Sequence, residues 1–154
     1  MTLSINPGDP LVSFPPFVDD RHITLVETAS LKPHELHDHI HAAALCMQIR
    51  AADLWTTPII VDDVSRVILD GHHRFAVAKI LGLHFIPAML IDYADPRISV
   101  DSWRDGVTVT HEDVLHAGRT GRLLPQKTSR HRLGDGLPDC AFALSTPRHD
   151  MAFS

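Results

Sequence analysis

Thr56-Thr57-Pro58-Ile59-Ile60-Val61-Asp62-Asp63-Val64-Ser65-Arg66-Val67-Ile68-Leu69-Asp70-Gly71-His72-His73-Arg74 carries the strongest local structural signals of the chain. Two β-branched runs, Ile59 to Val61 and Val67 to Leu69, flank a polar turn that contains Asp62, Asp63 and Ser65. Short apolar runs on either side of turn residues read as a hairpin. The second run stops at Asp70-Gly71, and a helical spacing begins at once with Phe75, Ala78 and Leu81, closed by Gly82. A strand that breaks at glycine into a helix points unbonded backbone N–H groups and a partial positive charge at one spot. Gly71 lets a ligand approach the main chain. Arg74 adds a bidentate phosphate donor, and His72 and His73 add two further donors. The segment reads as an anion cradle with one carboxylate, Asp70, at its lip.

The rest of the chain bounds what such a cradle can serve. With 154 residues, 44% hydrophobic and 21% charged, the chain suits one globular domain whose core needs no staples. A net charge of −5 without a long Lys/Arg run argues against nucleic acid as a partner, since gripping phosphates along a duplex needs a basic face. No apolar run approaches the roughly 18–20 residues that span a bilayer, so no membrane partner is expected. Met1 to Phe17 lacks the basic and apolar regions of a signal peptide. Cys46 and Cys140 make neither a disulfide framework nor a C-x-x-C pair, which fits a cytoplasmic setting.

Along the chain, Pro7, Pro10, Pro15 and Pro16 make residues 1–20 an irregular N-terminal segment. Residues 21–133 form the folded domain, and residues 134–154 read as a poorly ordered tail that chemistry does not need. Inside the domain, His22 to Thr28 reads as a strand. A helix is predicted from near Pro33, with Leu36, Ile40, Ala43, Ala44 and Met47 as its inward stripe. A strand follows the Pro87 break at Ala88 to Asp92, and Asp105-Gly106 signals a turn. Thr110 caps a short helix that is predicted to end near Gly118.

Three segments in order carry a family resemblance. Leu69-Asp70-Gly71-His72-His73-Arg74 resembles the phosphate-binding motif of the ParB/sulfiredoxin-like superfamily, in the double-histidine form of its free L-serine kinases. Leu31-Lys32-Pro33-His34-Glu35 resembles that family's early motif, and Pro125-Gln126-Lys127-Thr128-Ser129-Arg130-His131 its late one. The match runs over roughly residues 22 to 133. It implies a single α/β (α+β) domain with a mixed sheet and a strand–Gly–helix cradle. It also implies transfer of a phosphoryl group from ADP or ATP to the side-chain hydroxyl of free L-serine, or of a related hydroxy amino acid, giving O-phosphoserine. The partners are then a nucleotide and a free amino acid, with Mg²⁺ held mainly through the nucleotide phosphates.

Roles follow from the matched positions. Glu35 corresponds to the catalytic glutamate and is the first choice for the base, with Asp70 as the other candidate catalytic carboxylate. Gly71, His72, His73, Arg74, Lys127 and Arg130 are expected at the nucleotide, and Trp103, Thr128 and His131 at the amino acid. Read without the resemblance, Glu35 is a helix first-turn acid, Asp70 a cap, Trp103 a core residue and the late motif a polar loop. His37 and His41 have an i, i+4 spacing that can bind metal, but they lack the intervening glutamate of metalloproteases, and no protein metal site is expected. The competing function is a noncatalytic ParB-like nucleotide switch or an amino-acid or nucleotide sensor. A DNA-segregation protein would need a helix-turn-helix module and a basic face. A sulfiredoxin-like reductase would need a thiol where His72 and His73 stand.

Overall fold

A computed structural model describes residues 2–4, 23–133 and 139–144. The hairpin expected from the opening stretch is present: β4 (Ile59–Asp62) pairs antiparallel with β5 (Ile68–Asp70). Its turn is held by Asp62, whose carboxylate accepts the Ser65 hydroxyl at 2.6 Å, the Ser65 N–H at 3.0 Å and the Tyr93 N–H at 3.1 Å. Burial alone would raise this carboxyl, but those hydrogen bonds outweigh it and hold the group below the usual carboxylate range.

A five-stranded mixed sheet is ordered β1-β2-β6-β4-β5, where β1 is Thr2–Ser4, β2 is Ile23–Glu27 and β6 is Phe85–Ile91. β4 and β6 run parallel, and every other pairing in the sheet is antiparallel. β-Alternation sorts the side chains into two cores. On one face Ile59, Val61, Ile23 and Ile86 pack with Phe75, Val77 and Leu81 of α2 (His72–Leu81) and with Cys46 and Ile49 of α1 (His39–Ala52). On the other face Ile60, Met89 and Ile91 pack with Tyr93, Ile98 and Val109 and with Val114 of α3 (His111–Thr120). Among the described residues no helix is long and apolar enough to cross a membrane.

Several expectations are corrected. β6 begins before Pro87 and runs through it. Pro87 faces Leu25 of β2, and the ladder to β4 starts one residue later at Ala88, so its missing N–H falls outside that ladder. α1 starts at His39, capped by Asp38 accepting from Ile40 N–H at 2.9 Å. The segment from Lys32 to Leu36 is extended instead, bonded to the hairpin turn on one side and to Leu124 on the other. The stripe expected to face inward faces out: Ile40 is 82% exposed and Met47 73%, while Ala42, Cys46 and Ile49 are buried. Ala42, Cys46 and Ile49, at spacings of four and three, share the face that docks instead.

α3 does open on a Thr110 capping box, but it ends at Gly121. Gly118 lies inside it, pressed against Val67, where a Cβ would stand 2.6 Å from the nearest Val67 methyl. Parts of the two terminal segments are ordered. β1 is a backbone partner of β2. In the tail, β9 (Phe142–Ala143) pairs with β3 (Leu54–Trp55), and Cys140, Phe142 and Leu144 are buried in the first core. Their spacing of two is the strand signal that the surrounding Gly, Pro and Ser residues obscured. The remaining residues of both segments lie outside the described ones.

Gly118→Ala should destabilise the protein by about 1–3 kcal/mol, because Val67 is β-branched, fully buried and has nowhere to move. Chemical denaturation at fixed pH measures this, and an unchanged midpoint would contradict the close packing of α3 on the hairpin.

Candidate active site

The cradle is built as its sequence demands. β5 ends at Asp70, Gly71 takes φ +100°, and α2 starts at His72. A side chain at Gly71 would be strained at that φ, and its Cβ would meet the Ile59 side chain at 2.6 Å. The Phe75 N–H bonds back to the Gly71 carbonyl at 2.9 Å, which leaves the N–H groups of His72, His73 and Arg74 without helical acceptors. Among the described residues neither the Arg74 guanidinium nor the Lys127 ammonium forms an ion pair. Two free cations and a helix N-terminus therefore share one cleft.

The two histidines of the cradle serve differently from the sequence expectation. His72 Nε2 accepts the backbone N–H of His34 at 3.1 Å, and His73 Nε2 accepts that of Asp38 at 3.1 Å. A ring nitrogen that accepts is bare, so both imidazoles are neutral, and each keeps one donor, at Nδ1. Burial holds His72 well below the usual histidine value, and neighbouring histidines push the same way. For His73 burial and the charges of His41 and His37 lower the value, and the His41 ring stacks on it at 4.3 Å. These side chains pin the early segment to the cradle.

Glu35 is thereby placed in an extended strap and not in a helix turn. Its Oε1 accepts the Lys127 N–H at 2.6 Å, and its Oε2 accepts the Ser129 N–H at 3.1 Å and the Ser129 hydroxyl at 2.7 Å. Lys127 adopts φ +60°, a left-handed conformation uncommon for a side chain of its size, and this turns its N–H onto the carboxylate. Three accepted bonds leave about one further lone-pair position on the carboxylate. The side chain is 12% exposed, with its edge in the cleft.

The cleft measures about 350 Å³. Glu35, Leu36 and Asp38 come from the strap, Asp70 to Arg74 from the cradle, and Gln126, Lys127 and Ser129 from the late loop. Trp103 stands at its rim, 60% exposed, under the Arg130 guanidinium at 4.6 Å. Of the expected residues, Glu35, Asp70, Gly71, His72, His73, Arg74, Trp103 and Lys127 are brought together here.

Thr128, Arg130 and His131 do not line it. A turn closed on the Pro125 carbonyl directs Thr128 away from the cleft, buried, with its hydroxyl donating to that carbonyl at 2.6 Å and its N–H at 3.2 Å. Arg130, in β8 (Arg130–Arg132), makes a bidentate pair with Asp101 of β7 (Ser99–Asp101). His131 sits behind the site, 2.7 Å from the Tyr93 hydroxyl, and burial lowers it to about 3.

Sequence reading assigned no role to Ser129 or His34, although both fall inside the quoted motifs. His34 is fully buried, its Nδ1 on the Ile68 carbonyl and its Nε2 2.8 Å from Ser129 Oγ. The His37 and His41 spacing finds no support as a ligand set: no metal-competent cluster of three His, Cys, Asp or Glu side chains exists among the described residues.

No protein-family model matches the chain. It is 39% identical over 84 residues to a ParB-like protein of Sulfolobus acidocaldarius, covering 51% of this chain and 39% of that protein. It is 28% identical over 126 residues to an ATP-dependent L-serine kinase of Desulfurococcus mucosus, covering 79% of this chain and 45% of that one. The chain thus spans less than half the length of either curated relative. Among solved structures, a free serine kinase with a glutamate-to-alanine replacement, in complex with AMP, superposes with a TM-score of 0.76 at 14% identity, covering 86% of this chain and 97% of that one. The architecture is therefore that of the free serine kinases, a single ParB-like domain with a mixed sheet.

The buried imidazoles set an acid limit on stability. For His34, His72 and His131 burial is the largest cause and lowers each below the ordinary 6.5, so the unfolded chain binds these protons first. Their contribution is complete above pH 6.5 and is lost as pH falls toward about 3, where His131 itself titrates. Lowering the pH from 7.5 to 5.5 should remove on the order of 1.4 kcal/mol for His131, and His34 and His72 add to the loss in the same direction. Denaturant titrations across this window measure the loss, and a flat profile would contradict the neutral, buried histidines.

Proposed function

We infer that this relative of the ParB-like free serine kinases transfers a phosphoryl group from ADP or ATP to the side-chain hydroxyl of free L-serine, giving O-phosphoserine. The observation that carries this reading is the placement of the Glu35 carboxylate. It is clamped at the edge of a cleft whose opposite wall is the α2 N-terminus with Arg74. Phosphoryl transfer asks little more of a protein than positioning and charge stabilisation, and both are supplied. The N–H groups of His72, His73 and Arg74 face the phosphate oxygens, with the Arg74 and Lys127 side chains as mobile counter-charges. Glu35 takes the proton as the serine hydroxyl attacks the terminal phosphorus, and the nucleotide leaves one phosphate shorter.

Glu35 is preferred over Asp70 because a base must be held in place. Asp70 is exposed at the lip, and its carboxylate makes no hydrogen bond or ion pair among the described residues. One free carboxylate is too few for a dedicated metal cage, and it fits an ion that arrives already bound to the nucleotide, with Asp70 meeting it directly or through water. Mg²⁺ bound in this way neutralises charge on the phosphate oxygens. Trp103 and Gln126, beside Lys127, form the rim where the amino acid would lie. Both substrates are cytoplasmic solutes, which suits the reaction to that compartment.

Glu35→Gln should lower turnover ~10²–10⁴-fold, the range for losing a general base, and leave nucleotide affinity nearly unchanged. The new amide nitrogen must face the N–H of either Lys127 or Ser129, so a thermal melt should accompany the assay to show that the variant is folded. Asp70→Asn is expected to lose less. Arg74→Ala should weaken nucleotide binding about ten- to a hundredfold, read by calorimetry. Mass spectrometry of wild-type incubations with Mg²⁺, ADP or ATP and a panel of hydroxy amino acids tests the whole reading. Nucleotide binding without any phospho-amino acid would favour the noncatalytic switch or sensor.

A further inference from the structure

Behind Glu35 a line of hydrogen-bonding atoms runs into the core. The Ile68 carbonyl meets His34 Nδ1, His34 Nε2 lies 2.8 Å from Ser129 Oγ, and Ser129 Oγ lies 2.7 Å from Glu35 Oε2. A carbonyl only accepts, so His34 Nδ1 must carry a proton. A neutral ring then has a bare Nε2. The single Ser129 hydroxyl proton is claimed from both sides, by that nitrogen and by the carboxylate.

Counting protons makes the point quantitative. Three contacts need three protons, and a neutral His34 with the Ser129 hydroxyl supplies two. The line is one proton short, and its open end is the cleft-facing carboxylate. We propose that His34, Ser129 and Glu35 form a proton relay, in which the proton taken from the acceptor hydroxyl passes from Glu35 through Ser129 to the buried imidazole. This rests on the kinase reading above.

The bookkeeping of bonds is closed. The substrate O–H bond breaks and its electron pair forms the O–P bond, while the proton forms an O–H bond on Glu35. The Glu35 O–H then breaks as the Ser129 oxygen gains that proton, and the former Ser129 O–H breaks as Nε2–H forms. The end state is an imidazolium joined through a hydroxyl to a carboxylate, with all three contacts filled. Glu35 is ionised again while the proton waits 2.8 Å beyond the serine oxygen.

Every group packed around His34 bears on that proton. Ser129 and His131 face it from the late segment, Ile68 and Asp70 from β5, Glu35 from the strap and His72 from α2. Burial lowers His34, while the Ile68 carbonyl, Glu35 and Asp70 work in the other direction. His72 approaches edge-on at 4.6 Å and His131 at 5.9 Å, both neutral. The ring therefore rests unprotonated at Nε2, ready to receive. His34 is a positioning residue in this scheme, since it touches the substrate only through Glu35.

The test uses single-turnover phosphorylation of serine by the full chain. Ser129→Ala keeps the two backbone N–H bonds to Glu35 and cuts the relay. It should slow the chemical step at least thirtyfold, with the Michaelis constants for serine and nucleotide within threefold. Ser129→Thr restores a hydroxyl and should recover at least tenfold of that loss. In mixtures of light and heavy water the wild-type rate should follow a curved proton inventory and the Ser129→Ala rate a straight one. A Ser129→Ala rate equal to wild type, a threonine variant no better than alanine, or identical straight inventories would each overturn the relay. A wild type that never phosphorylates serine defeats the kinase reading instead. Nitrogen-15 spectra of His34 then still decide: the relay requires the Nδ1–H tautomer at neutral pH, and a neutral ring protonated at Nε2 would exclude it.

Discussion

The Glu35 carboxylate holds together three pieces of chain that are far apart in sequence. It sits on the strap from Lys32 to Asp38, which is tied to the hairpin by Lys32 and to α2 by the rings of His72 and His73. Its two oxygens gather the N–H groups of Lys127 and Ser129, more than ninety positions away. The Ser129 bonds are half-buried and the Lys127 bond is exposed, so Ser129 is the donor that would lose most without the carboxylate. The left-handed backbone at Lys127 is the visible strain of that arrangement. The group proposed to take the proton is thus also the group that ties the cleft together.

The histidines show how the same motif can serve structure and chemistry together. A donor role for His72 and His73 is natural when only their neighbours Gly71 and Arg74 are known. Their Nε2 atoms instead satisfy strap N–H groups that an extended, partly buried segment would otherwise leave bare. This fixes the tautomer of both rings and leaves Nδ1–H as their remaining donor. Lysine in either place could not accept, so the pinning needs imidazole or another acceptor of similar reach.

Much of the fold was legible because it follows from local signals: the Ile59–Leu69 hairpin, the Gly71 break, the Gly82 stop and the Thr110 cap all stand where turn and cap chemistry put them. The failures share a cause, which is tertiary contact overriding a local rule. Pro33 looked like a first-turn residue, but the hairpin and Leu124 claim the strap's backbone, and the helix waits for Asp38. Within that helix Ala42, Cys46 and Ile49 share the face that packs on the sheet and α2, so Ile40 and Met47 point to solvent. Gly118 looked like a stop, yet its missing side chain is what lets α3 lie on Val67. In the late motif, composition gave the residues without their sides, and the turn at Pro125–Thr128, with Lys127 left-handed, decided that Lys127 and Ser129, and not Thr128, line the cleft.

Charge distribution completes the argument. The chain carries a net −5, which repels polyanions in general. Within the cleft the balance reverses, because Arg74, Lys127 and three unbonded N–H groups of α2 converge while burial holds the cradle rings of His72 and His73 neutral. Neutral histidines matter here. Had they been charged, the pocket would bind any phosphate strongly and release a nucleotide product slowly. Keeping them neutral leaves Arg74, Lys127 and the helix end as the positive groups beside the cradle. The carboxylates line the same cleft, Glu35 against the Lys127 N–H and Asp70 next to Gly71, so the proposed phosphate site and the proposed base adjoin one another. In the proposed reaction the acceptor's ammonium would meet Glu35 or Asp70 and its carboxylate Lys127. The charges proposed to hold the nucleotide would then also align the acceptor.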